Sequence, residues 1–280
     1  MKFELTILGS GSSIPTSNRN SAAQVLHVLG RYFLIDCAEA TQHQLRRFHV
    51  PYNKINHIFI SHLHGDHFFG LIGFLSTLSL QGRRGEMHIY AEPRLQELIG
   101  CQMKILHSRF TFPLFFHALS RREEVIYEDK VVTVTAFPLK HHYDTPVSGF
   151  LFREKERERT ILKDRTWNVP IAFMQYLKRG EDFITPEGEI VANELLTVAP
   201  PPARSFAYMT DTLFRERFAD YVRGVDLLYH EATYMNADAV LAKESYHSTT
   251  GQAARIAELA GVGKLLLGHF SARYTECSEL

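Results

Sequence analysis

The chain has 280 residues, enough to bury a full core as one large domain or two small ones. Lys plus Arg and Asp plus Glu each total 31, so the formal net charge is zero. An anionic substrate must therefore be met by a local patch or by metal ions, which excludes a general positive field as the means of attraction. A hydrophobic content of 45% and a charged content of 22% are ordinary for a globular protein, whereas 15 histidines are heavy usage. Cys37, Cys101 and Cys277 are widely spaced with no C-x-x-C pair, which argues against a disulfide framework and a structural zinc clip and fits a reducing compartment. The first five residues are interrupted by charge and lack the apolar run of a signal peptide. The longest apolar stretch, residues 68–80, is shorter than the ~20 residues of a membrane span, so no membrane association and a cytoplasmic location are expected.

Along the chain, residues 3–7, 24–28 and 32–35 read as strands, split by a Gly/Ser/Pro-rich loop and a turn at Gly30. Residues 39–48 read as a helix and residues 68–80 as a second, mostly buried one. Strands resume at 87–90, 110–116, 124–127 and 131–137. Residues 153–165 alternate Arg and Lys with Glu and Asp, the pattern of a solvated, ion-paired surface segment. From there to residue 202 the sequence is polar and punctuated by proline, and it reads as an insertion standing off the main body. Regular patterning returns with strands at 206–209 and 225–229, a helix at 249–260 and a strand at 264–267. Ala253, Ile256, Ala257 and Ala260 form that helix's apolar stripe, with Gly261 as its C′ residue.

The run Ser61-His62-Leu63-His64-Gly65-Asp66-His67 follows the apolar residues Ile58, Phe59 and Ile60. Imidazole nitrogen and carboxylate oxygen are the donors that zinc and similar divalent metals prefer. In H-x-H at a strand end both side chains point to one side, and four donors exceed what one zinc with an open position needs. His141, Asp211, His230-Glu231 and His269 each end or follow an apolar run. Sites in layered α/β folds gather beyond the carboxyl ends of strands, so the repetition argues that these residues converge.

Eight segments together resemble the ribonuclease Z family of the metallo-β-lactamase superfamily. They are Gly9-Ser10-Gly11-Ser12, Asp36-Cys37-Ala38-Glu39, residues 61–67, residues 138–141, Thr210-Asp211-Thr212, His230-Glu231-Ala232-Thr233, Tyr246-His247-Ser248-Thr249 and residues 268–274. They span nearly the whole chain in the family's order. H-x-H-x-D-H marks only the superfamily, while His-Glu-Ala-Thr, His247 and Gly-His-Phe-Ser-Ala-Arg-Tyr are more specific.

The resemblance implies an α/β fold of the four-layer αββα sandwich type (α+β), one metallo-β-lactamase-like domain over residues 1–280 with residues 153–202 as an inserted substrate-binding arm. It implies two Zn²⁺ per subunit, one held by His62, His64 and His141, the other by Asp66, His67 and His269, with Asp211 bridging. It further implies a zinc-dependent endoribonuclease that removes the 3′ trailer of precursor tRNA, leaving a 3′-hydroxyl on the tRNA and a 5′-phosphate on the trailer, and acting as a homodimer. Hydrolysis of a phosphodiester needs an activated water, neutralised phosphoryl charge and a proton for the departing oxygen. Asp66 is placed to orient or deprotonate the water, or is purely a ligand. His247 is the candidate acid, with Glu231 holding and charging its imidazole; the alternative for Glu231 is a structural hydrogen-bond acceptor.

Ser271 and Arg273 resemble the family's phosphate-gripping turn, and the start of the 249–260 helix would offer further N–H groups to the same anion. Arg273 has the alternative of a surface ion pair. Arg19 and Asn20 match the family loop Pro-x-Lys-x-Arg-Asn, in which the lysine is here Ser17. Ala38 and Ala40 stand where the family has glycines, the arm lacks the family's Gly-Pro signature, and the chain stops soon after Tyr274. Two other readings share the metal ligands: a small-molecule metallohydrolase acting on phosphodiesters, thioesters or lactones, and an RNA-binding protein with an idle metal site.

Overall fold

The computed structural model describes residues 2–142 and 144–275, so Cys277 lies outside the described residues. Six strands form the first sheet in spatial order: β1 (Phe3–Gly9), β2 (Ala23–Val28), β3 (Arg31–Ile35), β4 (Ile55–Phe59), β5 (Met87–Ala91) and β6 (Leu114–Ala118). β1 to β3 are antiparallel and β3 to β6 run parallel. Parallel neighbours require crossovers, supplied by α1 (Thr41–Arg47), α2 (Gly65–Phe68), α3 (Leu71–Leu80) and α4 (Arg94–Ile105). Leu45, Phe74, Leu75, Leu78, Leu95 and Ile99 of these helices bury one face of the sheet.

Two expectations are corrected here. The helix expected over 68–80 is broken between Phe68 and Leu71. At the break, Gly70 N donates to Cys37 O at 2.9 Å, and a Cβ on Gly70 would lie 2.0 Å from Ala38 O. With Cys37 N donating to His67 O at 2.7 Å, the break ties the His/Asp run to the loop that carries Asp36. The strand expected at 110–116 begins only at Leu114, because Pro113 has no N–H for the ladder.

The second sheet begins with β7 (Glu124–Glu128), β8 (Val132–Lys140) and β9 (Pro146–Glu154). Glu154–Arg204 then forms a compact unit of its own. Within it β10 (Thr160–Ile161) pairs with β13 (Thr197–Val198), and β11 (Phe183–Ile184) pairs with β12 (Ile190–Val191). α5 (Met174–Lys178) and α6 (Asn193–Leu196) help bury a small core of Val169, Leu177, Phe183 and Leu196. The main chain resumes as β14 (Ser205–Met209), β15 (Leu227–Glu231), α7 (Ala239–Glu244), α8 (Thr250–Ala260) and β16 (Lys264–Gly268). Arg153 and Ser205 pair across β9 and β14, so the insertion leaves and rejoins the sheet at one point of register.

The second sheet runs β16-β15-β14-β9-β8-β7. Phe33, Phe59 and Tyr90 of the first sheet meet Val134, Phe150, Phe152, Phe206 and Tyr208 of the second in the central core. The apolar stripe of α8 covers the outer face together with Phe218 and Val222. Thr249 and Gln252 close a capping box at the start of α8, and Gly261 ends it at φ 62°. The layers are therefore helix, sheet, sheet, helix. Among the described residues no helix is long and apolar enough to cross a membrane.

Candidate metal centre

Strand ends deliver the candidate ligands to one place. β4 leads into residues 62–67, β8 into His141, β14 into Asp211 and β16 into His269. Ligand atoms of His62, His64, His141 and Asp211 lie within 4.8 Å of one another, as do those of Asp66, His67 and His269. Asp211 connects the groups: its Oδ2 is 3.6 Å from His62 Nε2, and its Oδ1 is 3.3 Å from His67 Nε2 and 3.1 Å from His269 Nε2. Asp66 Oδ2 lies 3.6 Å from both His67 Nε2 and His269 Nε2. Asp211 and His269 hold positive φ of 31° and 59°, so the turns after β14 and β16 are backbone-strained at the residues that reach the cluster.

The donor atoms fit divalent metals because the other side of four of the five imidazoles is already committed. His67 Nδ1 donates to Asp36 Oδ2 at 2.7 Å, His141 Nδ1 to Tyr246 O at 3.0 Å, and His269 Nδ1 to Thr233 Oγ1 at 3.0 Å. Ser61 Oγ donates to Asp36 Oδ2 at 2.9 Å and accepts from His62 Nδ1 at 3.1 Å. These outward bonds leave four Nε2 lone pairs facing inward. His62 Nε2 is buried with no hydrogen-bond partner, and the Nε2 atoms of His67 and His269 approach to 3.2 Å. Lone pairs gathered this closely call for shared positive charge between them.

Titration follows the same logic. Burial and neighbouring imidazoles push His62 well below its ordinary value, and burial takes His141 down to about 4, so both stand ready as neutral ligands. Burial opposes ionisation of Asp66 and Asp211, but the charges of His67 and His269 outweigh it and hold both carboxyls below their usual range. Burial likewise opposes a charged His67, yet Asp211 and Asp36 raise it well above 6.5. That proton stands where a cation would compete for the same lone pair.

Asp36, Thr233 and Tyr246 are functional positions that the sequence reading did not assign. Asp36 is fully buried and accepts from Ser61 N, Ser61 Oγ, His67 Nδ1 and Tyr208 OH. Tyr246 sits at φ 59° after α7, where His247 N donates to Ala242 O at 2.7 Å and Tyr246 N to Lys243 O at 3.3 Å. This is a helix-ending turn that normally takes glycine. The turn aims the Tyr246 carbonyl at His141 and sets His247 next to it. A positive-φ requirement is invisible when the residue filling it is tyrosine.

Glu231 is fully buried and accepts five hydrogen bonds. Its Oε1 takes Thr212 N (2.8 Å), Ser248 N (3.1 Å) and His247 Nδ1 (3.0 Å); its Oε2 takes Thr233 N (3.0 Å) and Thr233 Oγ1 (2.7 Å). Burial disfavours charge on His247, but Glu231 more than offsets it and raises the imidazole to about 9. One cavity of about 280 Å³ is lined by His64, Asp66, His141, Asp211, His247 and Ser271, so ligands and candidate acid face the same space.

Arg273 and the start of α8 are engaged within the protein. Arg273 Nη1 pairs with Asp238 Oδ1 at 3.1 Å, and the guanidinium lies 5.5 Å over the Tyr234 ring. The first-turn N–H groups of α8 are taken: Thr250 N by Tyr234 O, Gly251 N by Asn236 Oδ1 and Gln252 N by Thr249 Oγ1. The capping box and Asn236 thus close the helix start to an incoming anion. Arg19 lies 6.0 Å over Phe270, and its Nη1 is buried without a hydrogen-bond partner. Asn20 O accepts from Gly11 N at 2.9 Å, stitching its loop beside the strand end of β1.

Known proteins match this chain across its full length. Ribonuclease Z of Bacteroides fragilis strain YCH46 is 45% identical over 282 residues, covering 100% of this chain and 92% of the relative. The chain belongs to the ribonuclease Z family. Ribonuclease Z of Porphyromonas gingivalis strain W83 is 40% identical over 281 residues, covering 99% of this chain and 92% of that relative. Human tRNase Z, short form, superposes with a TM-score of 0.72 at 29% identity, covering 97% of this chain and 94% of that chain. A Bacillus subtilis metallo-β-lactamase fold protein superposes with a TM-score of 0.64 at 19% identity, over 95% of this chain and 85% of that one, and shares the fold. The fold is the metallo-β-lactamase fold. Residues 3–189 also match the family described as anti-Pycsar protein Apyc1, so the chain belongs to that family as well. That match includes residues 62–67 and His141 but ends before Asp211, Glu231, His247 and His269, which the full-length ribonuclease Z relatives span.

Proposed function

We propose that this protein is the metal-dependent endoribonuclease that removes the 3′ trailer of precursor tRNA by hydrolysis of one phosphodiester. The observation that carries the reading is the single cavity in which a double cluster of metal donors faces His247 and its buried Glu231 partner. His62, His64 and His141 would hold one ion and Asp66, His67 and His269 the other, with Asp211 between them; zinc suits these nitrogen and oxygen donors. When bound, two such ions bring the pKa of a water to about 7 and offset phosphoryl charge.

The chain's own groups then have defined tasks. Asp66, fixed by Ser13 N on Oδ2 at 2.6 Å, orients the attacking water and takes its proton. As the water oxygen bonds to phosphorus, the bond from phosphorus to the ribose 3′-oxygen breaks. His247, protonated at neutral pH, gives its proton to that oxygen, and Glu231 holds the ring in place. The products are a 3′-hydroxyl on the tRNA and a 5′-phosphate on the trailer. Ser271 lines the cavity as a phosphate contact, Arg19 brings an unpartnered donor nearby, and Asn20 belongs to the same RNA-facing loop. Arg273, which pairs with Asp238 beside the Tyr234 ring, is the second phosphate contact of this turn in line with the family resemblance. Glu154–Arg204 serves as the substrate-binding arm, and we place the enzyme in the cytoplasm as a homodimer, in line with the family resemblance.

Incubation of metal-replete protein with a 3′-extended tRNA, with and without chelator, tests the reading. Chelator-sensitive cleavage with the stated ends is expected, and a His247→Ala variant that keeps its metal should lose about 10²–10⁴-fold in rate. Rapid hydrolysis of bis-p-nitrophenyl phosphate with no cleavage of the precursor would favour the small-molecule hydrolase instead.

A further inference from the structure

On the central-core face of the first sheet, rings form two rows across three parallel strands. The register aligns His57, His88 and Phe115 in one row and Phe59, Tyr90 and His117 in the other. In the first row His57 and His88 stack at 5.1 Å, and so do His88 and Phe115, both pairs tilted by 16°. In the second, Phe59 stacks on Tyr90 at 4.6 Å and Tyr90 on His117 at 4.4 Å. A contact of 3.0 Å between His88 Nδ1 and His117 Nε2 joins the rows. The inner rings Phe59 and Tyr90 are buried, whereas Phe115 is 43% exposed and His117 is exposed. β6 is the edge strand, so both rows surface there as a flat patch of rings. Edge strands are ordinarily protected by charge, and the exposed ring pair here instead offers a surface for stacking.

The chain from β6 runs directly toward the metal centre. Ser120 and Arg121, within about 15 Å of His117 along the chain, line a small cavity of about 120 Å³ together with Lys140, His141, His142 and Ser148. Among the described residues no carboxylate lines this cavity; Glu124 lies beside it, its Oε1 accepting from Ser120 N at 3.1 Å. His141 and His142 also line the catalytic cavity, so the two spaces share a wall at a candidate metal ligand. Cationic and hydroxyl groups next to the scissile position, followed by exposed rings, are the ingredients of a single-stranded nucleic-acid path: cations track phosphates and rings stack bases.

We propose that the cavity of Arg121 and Lys140, with the rings of His117 and Phe115 beyond it, binds the unpaired RNA on the 3′ side of the scissile bond. The proposal rests on the endoribonuclease reading and extends it to the trailer. Bases of a paired acceptor stem are already stacked on one another, whereas those of an unpaired trailer are free to lie on protein rings. Trailer length then becomes a determinant of efficiency, through contacts separate from those that hold the tRNA body.

Two measurements on wild type, Arg121→Glu, Phe115→Ser and Phe115→Tyr test this. The first is kcat/KM on one precursor carrying a trailer of either one or about ten nucleotides; the second is fluorescence-anisotropy binding of an oligouridylate of about ten nucleotides. Arg121→Glu and Phe115→Ser should each lose about tenfold on the long trailer and on the oligonucleotide, with little change on the short trailer. Phe115→Tyr, which keeps the ring, should behave as wild type. Equal losses on both trailers, or unchanged oligonucleotide binding, would overturn the proposal. A wild-type protein that binds the oligonucleotide at these residues but cleaves no precursor would sink the endoribonuclease reading and leave the RNA-binding strip standing.

Discussion

Replacing Glu231 with glutamine separates a carboxylate that charges His247 from one that only ties loops together. Glutamine preserves size but offers an NH₂ where one carboxylate oxygen now accepts. Set toward Thr233, the NH₂ faces the Thr233 N–H and leaves that buried donor unmatched, costing about 1–3 kcal/mol of stability. The larger effect falls on the acid. With Glu231 ionised His247 is raised to about 9; without that charge, burial is what remains, and the imidazole falls to its ordinary 6.5 or lower. An acid must be protonated to act, so activity that depends on it is present below its pKa and lost above. At pH 8 the protonated fraction drops from about nine-tenths to about one-thirtieth, a loss of about thirtyfold, whereas at pH 6 the loss is under about twofold. Bound cations lower both values and slide the window toward acid without closing the gap. The assay is kcat/KM on a precursor tRNA across pH 6–9 at constant metal content, with thermal stability measured in parallel. A Glu231→Gln profile parallel to that of wild type would refute the charging role and leave Glu231 as a structural acceptor.

Other expectations follow from neighbouring parts of the molecule. Asp36→Asn removes the charge opposite His67 Nδ1 and should weaken metal binding about 10–100-fold in competition with a chromogenic chelator; unchanged affinity would show that the outward bond does not set the ligand. Replacing Glu154–Arg204 by a short glycine linker is feasible because Glu154 N donates to Arg204 O at 2.9 Å, so the two ends already meet. Hydrolysis of bis-p-nitrophenyl phosphate should persist while KM for precursor tRNA rises by roughly tenfold or more, and parallel loss of both would contradict an arm that serves only RNA. His57, pushed down mainly by burial to about 4, stays neutral in the folded protein while its unfolded counterpart protonates below about 6.5. Stability should therefore fall by about 2 kcal/mol between pH 7 and pH 5 through this group, a slope that His57→Phe would remove from urea-denaturation midpoints.

The ligands were legible in the sequence because metal chemistry restricts residue types and strand ends restrict where those residues stand. Residues 62–67, His141, Asp211 and His269 each follow an apolar run that is a strand, so patterning placed them at strand ends, while their division between two ions came from the family resemblance. The partner of each ligand was harder to see. Asp36 reaches His67 from another strand, and the Tyr246 carbonyl that holds His141 is a backbone group with no side-chain signature. α4 escaped notice because its buried positions reduce to Leu95 and Ile99 among polar neighbours. β9 did so because it lies between proline and the charged insertion, with burial on both faces in place of alternation. The free helix N-terminus expected at α8 was an error of a different kind. Thr249 and Gln252 form a capping box that is readable in sequence, and a capped helix has fewer N–H groups to offer a phosphate.

A zinc-edge anomalous difference map from crystals of the metal-loaded protein bears most directly on the central claim. Two peaks are predicted in each chain, one among His62, His64, His141 and Asp211 and one among Asp66, His67 and His269. A lone peak, or peaks away from these side chains, would contradict the two-ion centre on which the hydrolytic reading stands.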